Sequence, residues 1–499
     1  MAGIRKQTIQ SSIIVYFGFL VGAFNTYLYT KNFSFSKEEY GVTRIFIDFA
    51  QNFFAFATLG SLPVMYKFYP YYKDNLPDKK NDLLTWVLLV SVIGFIIVSL
   101  CGVVFEPFVV QKFGEHSALF LQFYYLVFPF SIGYLLFAVF ESYSWALHTA
   151  VVSNALKETA LRIITTVFIV LYYFKMISFN QFMYLFSTLY IIIAILLIFY
   201  LWKTDRLHFT FSVSRVTKKF YKKMFGLQFF VFGGVAINAV AITISGLLIA
   251  SKQGLGNAAI FSLASYVANF IEIPQRSITS ISTGVLSRAW KDKDFATINR
   301  VYHRSSINML LLSVLVFGNV WLNIAQGINV LHIQTAYAAG ISVVLVLGIA
   351  KIIDAGTGVN SVIIVTSTLW KFEFWTNVIL LALRIPLAYF LIQKYGIIGP
   401  AYAELISQVV YNFIRYEFLR RKFKMQPFNA ETLYSIILAV VAVAGTYYLF
   451  HSFEGWIGII LRSVLFSGAL IGGMFLFKLT PDAIQLVDVA KARIQDWKK

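Results

Sequence analysis

About fourteen long apolar stretches follow one another down this chain, and lysine and arginine collect in every second gap between them. A hydrocarbon core is crossed by about 20 mostly apolar residues rising about 1.5 Å each, so a chain of this kind folds as a bundle of membrane-spanning helices. The candidate spans fall near 9–30, 43–66, 83–107, 117–146, 155–174, 181–202, 225–250, 257–285, 306–326, 337–362, 369–392, 396–418, 432–450 and 456–478. An even number of them puts both termini on one side.

The basic residues say which side. One set of gaps, together with the tail, holds about 31 lysines and arginines, from Arg5 and Lys6 to Lys498 and Lys499. The other set holds about 7, namely Lys31, Lys37, Arg44, Lys112, Lys175, Lys252 and Lys394. By the positive-inside rule the crowded side is cytoplasmic, and both termini with it. The net charge of +19 is therefore mostly topology. Nucleic acid is not an expected partner, because the aromatic residues lie inside apolar spans and not on a basic soluble face. With 59% hydrophobic and 13% charged residues and a mean hydropathy of +0.72, no soluble domain is left over.

The first span follows a short Arg-Lys start with no small-residue cleavage site after it, and it reads as a retained helix. Cys101, alone in the sequence, reads as small apolar packing mid-span. The outward gaps are short, and no Gly-rich phosphate loop, HExxH, GxSxG or CxxC is present. His116, His148, His208, His303, His332 and His451 occur singly, mostly at span ends. These features favour a transporter over a catalyst, with no metal site and no cofactor expected.

An internal repeat adds to this. The segment beginning at Phe17 and ending at Phe53 can be laid over the one from Phe232 to Phe270, with Tyr40-Gly41 against Leu255-Gly256 and Ile45-Phe46 against Ile260-Phe261. The first two spans then pair with the seventh and eighth, giving two six-helix lobes that enter the membrane in the same direction, related by a pseudo-twofold along its normal. The expected division is an N-lobe at 1–202, an inter-lobe linker at 203–224, a C-lobe at 225–425, two further helices at 426–478 and an amphipathic cytoplasmic tail at 479–499.

Several segments carry a family resemblance: the start IRKQTIQSSIIVYFGFLVGAFNTYLYTKNFSFSKEEYGVTRIF, YKFYPYYKD at 66–74, IIDAGTGVNSVIIVTSTLWKFEFWTNVILL at 352–381 and YGIIGPAYAELIS at 395–407. Over nearly its whole length the chain resembles the oligosaccharide (O-antigen or polysaccharide) flippases of the multidrug/oligosaccharidyl-lipid/polysaccharide exporter superfamily. The resemblance implies two six-helix lobes, an alternating-access cavity and an undecaprenyl-pyrophosphate-linked glycan as cargo.

A charge at the centre of a span costs about 2.5–3.5 kcal/mol on insertion scales, so each one kept should face a wet cavity or a partner. Arg44, Arg276, Lys351 and Arg384 are the candidates for binding the lipid pyrophosphate, because guanidinium forks hold its oxygens bidentately and a lysine adds a point charge. Each has a structural alternative. Lys351 and Asp354, or Arg44 and Asp48, could neutralise each other along one helix. Arg276, after Pro274, could snorkel to the cytoplasm. Arg384 has no acid three or four residues away and is expected to line the cavity as an isolated cation together with Lys351. Asp48, Glu272, Asp354 and Glu404 could bind a coupling Na+ or H+, or serve as counter-ions. Arg462 reads as interfacial.

Aromatic residues make up 18% of the chain, and those at span ends, such as Tyr27, Tyr29, Tyr66, Phe68, Tyr71, Tyr72, Tyr172, Tyr173, Tyr447 and Tyr448, read as an interfacial belt. Residues 214–224 and the tail from Pro481 alternate basic and apolar residues, as helices lying on anionic headgroups do.

The reading is a non-enzymatic flippase of the bacterial inner membrane, driven by an ion gradient or the membrane potential. Its partners are lipid-linked oligosaccharide, membrane lipids and polysaccharide-assembly proteins. The first alternative is a cation-coupled multidrug exporter of the same superfamily, disfavoured because spans 9–30 and 225–250 contain no Asp or Glu. A membrane glycan polymerase or ligase is more distant, for want of a large outward loop.

Overall fold

The computed structural model of the protein describes residues 2–32, 34–147 and 149–480, with side chains for all of these except 2–13, 15, 16, 230 and 277. The amphipathic tail expected from Pro481 lies outside the described residues. Two compact units are present, Met1–Ala259 and Ile260–Lys499.

The first unit runs through α1 (Ala2–Thr30), α2 (Lys37–Ala57), α3 (Leu62–Asn75), α4 (Leu83–Val104), α5 (Glu106–Phe113), α6 (Ala118–Gln122), α7 (Val127–Ala146), α8 (Ala150–Asn154), α9 (Leu161–Tyr173), α10 (Phe179–Ser187), α11 (Leu189–Lys203) and α12 (Arg215–Gln253). α13 (Leu255–Asn269) carries the chain into the second unit, which continues with α14 (Ile273–Lys291), α15 (Phe295–Val330), α16 (Ile341–Gly356), α17 (Asn360–Thr366), α18 (Trp370–Tyr395), α19 (Gly399–Phe423), α20 (Ala430–Phe450) and α21 (Gly455–Leu476).

Every expected span falls on helix, but several are broken. Among the described residues, nine helical segments are long and apolar enough to cross a membrane, or ten if the bent pair α2–α3 counts as one. The longest, Trp370–Phe423, turns at Gly396 (φ +64) into the hairpin α18–α19. Besides the window at 9–30, those at 155–174 and 257–285 fall outside that set. The window at 155–174 carries Lys157, Glu158 and Arg162 and opens with a π-helical turn, Ala155–Ala160; the one at 257–285 is interrupted by a 3-10 turn at Phe270–Glu272.

Local sequence explains the breaks. Ser36 starts α2 with a reciprocal cap, its hydroxyl accepting the Glu39 N–H at 3.1 Å while the Glu39 carboxylate accepts the Ser36 N–H at 2.8 Å. α2 ends where Leu59 (φ 46) and Gly60 (φ +71) take left-handed backbone, and Pro63 in the first turn of α3 sets a 44° bend. A side chain at Gly60 would also strike the Gln228 carbonyl, 2.4 Å from where its Cβ would stand, so α12 seats on this corner.

Lipid tails are as apolar as leucine, so helices in a membrane associate through close packing and polar contacts. The first unit relies on rings. Tyr29 (α1), Tyr172 (α9) and Phe182 (α10) surround Phe35, Tyr40 (α2) packs on Tyr29, and Phe182, Phe186, Phe130 and Tyr190 extend the stack to α7 and α11 at centroid distances of 4.4–5.8 Å. Such pairs add about 0.5–1.5 kcal/mol each beyond burial. The belt expected at span ends is therefore only partly a belt. Tyr66, Tyr71, Tyr173, Tyr447 and Tyr448 are exposed, whereas Tyr29, Phe68 and Tyr72 are core. Cys101 likewise sits on the exposed outer face of α4, near its end, instead of packing mid-span.

In the second unit the hairpin α20–α21 docks on α15 through a polar ladder. Asn319 donates to Ser467 and Asn323 to Ser463, both at 3.0 Å, with Phe466 filling the space left by Gly318. Arg462 is 3% exposed, sheltered by protein, and donates to Asn323 Oδ1 at 3.1 Å, to the carbonyl of Phe450 (3.2 Å), the last residue of α20, and to that of Phe453 (3.1 Å) in the turn that follows.

Candidate functional site

The second unit gathers most of the intramembrane charges into one chain. The 3-10 turn between α13 and α14 carries Glu272, whose carboxylate binds Lys351 of α16 and, at 3.3 Å, Arg276 of α14. Lys351 Nζ also lies 3.4 Å from Glu404 of α19, and Glu404 binds Arg384 of α18. Three cations and two carboxylates thus alternate along Arg276, Glu272, Lys351, Glu404 and Arg384, leaving one net positive charge. Arg276 is the open end, with its side chain 72% exposed, while Arg384 at the other end is buried.

Two sequence expectations change here. Lys351 does not neutralise Asp354 on its own helix, because Glu272 and Glu404 reach its ammonium from two other elements. Arg384 is not an isolated cation, since Glu404 compensates it across the α18–α19 hairpin. Removing one partner of a buried pair costs about 3–5 kcal/mol, so these contacts bind the four elements together as well as placing charge.

Asp354 belongs to a second network. Its Oδ1 accepts from the Gln408 side chain at 2.5 Å and from the Asn412 side chain at 3.0 Å. The Asn412 amide oxygen accepts from Thr357 at 3.0 Å and Asn360 at 3.2 Å. A buried pair that sequence reasoning missed lies beside it: Glu373 of α18 binds Arg415 of α19, which also contacts Tyr411. Arg415 is 4% exposed although it stands within two turns of the basic end of α19, Arg420 to Lys422. A readable clue was available. Glu373 and Arg415, Asn377 and Tyr411, and Arg384 and Glu404 each stand equally far on either side of Lys394, as partners across one antiparallel helical hairpin must.

The first unit treats its deep charges differently. Arg44 lies over the Tyr40 ring, 4.8 Å from its centroid, and makes no ion pair with Asp48 among the described residues. Asp48 turns toward α12, where its Oδ2 occupies the space beside Gly246; a Cβ there would come within 2.5 Å. One turn on, Asn52 donates to Thr243 at 2.7 Å. Arg44, Asp48 and Asn52 therefore form a polar stripe on α2, and the Asp48 carboxylate accepts no hydrogen bond from a described residue. Nearer the ends of the spans, Glu141 of α7 binds Lys157 of the π-helical turn at 3.1 Å, and Glu158 of the same turn binds Arg162 of α9 at 2.8 Å.

These helices make an all-α multi-pass membrane protein. The chain is similar to the lipid II flippase MurJ in an inward closed conformation, with a TM-score of 0.72 and 16% identity over 94% of this chain and 99% of that one. It is also similar to an inward-facing multidrug resistance MATE family transporter of the MOP superfamily (TM-score 0.63, 12% identity, 81% of this chain and 94% of that one). A third likeness is to a MOP superfamily transporter from Pyrococcus furiosus (TM-score 0.52, 12% identity, 84% and 96%). No protein-family model and no curated relative matches the sequence. The fold is thus one that a lipid II flippase and a MATE family transporter share.

Proposed function

We propose that this protein flips undecaprenyl-pyrophosphate-linked oligosaccharide across the bacterial inner membrane by alternating access, with both termini cytoplasmic, for polysaccharide or O-antigen assembly. The observation that carries the reading is the cationic chain ending at exposed Arg276. A pyrophosphate is a compact multiple anion, and it can replace carboxylates as the partner of guanidinium and ammonium groups. Glu404 serves both Lys351 and Arg384, so displacing this one carboxylate presents two cations to the head group together.

In this reading the expected repeats 1–202 and 225–425 move about the loaded head group, and Asp48 is the coupling group for Na+ or H+. Glu272 and Glu404 are held by cations and Asp354 by amides, whereas the Asp48 carboxylate has no such partner among the described residues. Alternatively, the membrane potential resets the empty carrier; moving one charge through 100 mV is worth about 2.3 kcal/mol, enough to bias the two states more than tenfold.

The test is leaflet-resolved accumulation of lipid-linked oligosaccharide in cells carrying well-inserted variants. Arg276→Ala and Arg384→Ala should each leave cargo on the cytoplasmic leaflet whatever the glycan, and the Arg→Lys variants should rescue partly, keeping charge without the fork. Wild-type export from both alanine variants would remove these residues as the head-group site. Drug efflux is the second reading, favoured by Asp48. It predicts that Asp48→Asn raises sensitivity to cationic drugs while glycan export stays intact.

A further inference from the structure

Asp82 opens α4 and is fully buried. Its Oδ2 accepts the Trp86 indole N–H at 3.1 Å, the Ser214 backbone N–H at 2.9 Å and the Thr217 hydroxyl at 2.7 Å, and Thr217 is 2.6 Å from the Tyr72 hydroxyl. Ser214 in turn caps α12, accepting the Thr217 N–H at 3.1 Å. One carboxylate therefore clamps the first turn of α12 against α3 and α4.

Beside the clamp is a cleft of about 350 Å³, within the range of about 300–1,000 Å³ common for ligand sites. Its walls include Val64, Trp86, Val87, Val90, Val213 and Met224. Its mouth is of another character. Lys218 and Tyr221 line it, Phe225 stands 61% exposed at its rim, and Lys222 follows Lys218 by one turn of α12. Arg215, Lys219 and Lys223 are exposed on the same opening turns. An apolar slot with a crown of cations, set where α12 passes from basic to apolar sequence, matches an amphiphile with an anionic head.

We propose that this cleft binds one anionic glycerophospholipid of the surrounding bilayer, an acyl chain in the slot and the phosphate against Lys218 and Lys222. The site lies wholly in the first unit and uses none of the groups assigned to cargo, so it stands or falls apart from the flippase reading. Juxtamembrane cations attract acidic lipids, and the slot adds the shape that separates a bound lipid from a passing one.

The test uses the full chain in phosphatidylcholine nanodiscs doped with phosphatidylglycerol or phosphatidylcholine brominated on the acyl chain. Subtracting the signal of the Trp86→Phe variant isolates Trp86 fluorescence. Brominated phosphatidylglycerol should quench Trp86 at a several-fold lower mole fraction than brominated phosphatidylcholine. Lys218→Gln and Lys222→Gln should each weaken that preference by about fivefold. Val90→Phe, which fills the slot and keeps the charges, should abolish it. Equal quenching by the two lipids would overturn the proposal, and so would a preference surviving Val90→Phe. Displacement of the brominated phosphatidylglycerol by undecaprenyl phosphate at lower mole fraction would overturn it too, assigning the slot to an isoprenoid chain.

Discussion

In the first unit, α1, α2, α7, α9, α10 and α11 meet through rings packed around Phe35 and Phe182; in the second, α14, α16, α18 and α19 meet through Glu272, Lys351, Glu404, Arg384, Glu373 and Arg415. The two kinds of cement differ in how they fail. A ring pair loses area and contact in proportion to what is removed. An ion pair deprived of one member leaves the other charged in a medium that solvates it poorly. Chemistry that must respond to an anion belongs in the second kind, where exchanging one partner for another costs little and losing it costs much.

The largest expected effect tests that asymmetry. Glu373→Ala should lower stability by about 3–5 kcal/mol, because Arg415 stays buried without its carboxylate. The double variant Glu373→Leu/Arg415→Met should recover most of the loss. Apparent melting temperatures in one detergent decide it, and a double variant as unstable as the single would break the comparison.

Gly246→Ala comes next, since its methyl meets Asp48 Oδ2; overpacking of this kind costs about 1–3 kcal/mol. Asp48→Ala should relieve most of it in the double variant, read again by melting.

Phe182→Leu in the ring cluster should cost about 0.5–1.5 kcal/mol beyond lost area, with no change in export. A loss of export at normal expression would show that the first unit's rings do more than pack. The smallest effect is Asn319→Ala, about 0.6 kcal/mol, the average for a hydrogen bond between membrane helices. It should barely move the melting curve.

What the sequence made legible follows the same division. Apolar length alone located the helices, because a membrane leaves backbone few other choices. Breaks were harder to read: Leu59-Gly60 and the π-helical turn at Ala155–Ala160 depend on neighbours that a linear window does not contain. Partners of buried charges were hardest. Spacing along one helix suggested Asp354 for Lys351, but Glu272 comes from far upstream and Glu404 from the second arm of the α18–α19 hairpin. Only the α18–α19 pairs were in principle readable, since a hairpin fixes which residues face each other once its turn is known. Arg44 and Asp48 have the right spacing and still do not pair, because a tyrosine ring takes the cation and a glycine makes room for the acid.

Arg462 has a bearing on how the polypeptide is made. Its guanidinium rests on Asn323 of α15, on the last carbonyl of α20 and on that of Phe453 in the turn after it, so two of its three contacts come from its own hairpin and one from a helix synthesised much earlier. As α20 and α21 leave the ribosome and enter the bilayer, the arginine can hold the loop between them at once, but it finds its remaining acceptor only if α15 is already in place. The order of synthesis supplies this, and a truncated C-terminal hairpin expressed alone would expose to lipid a cation that the full chain shelters.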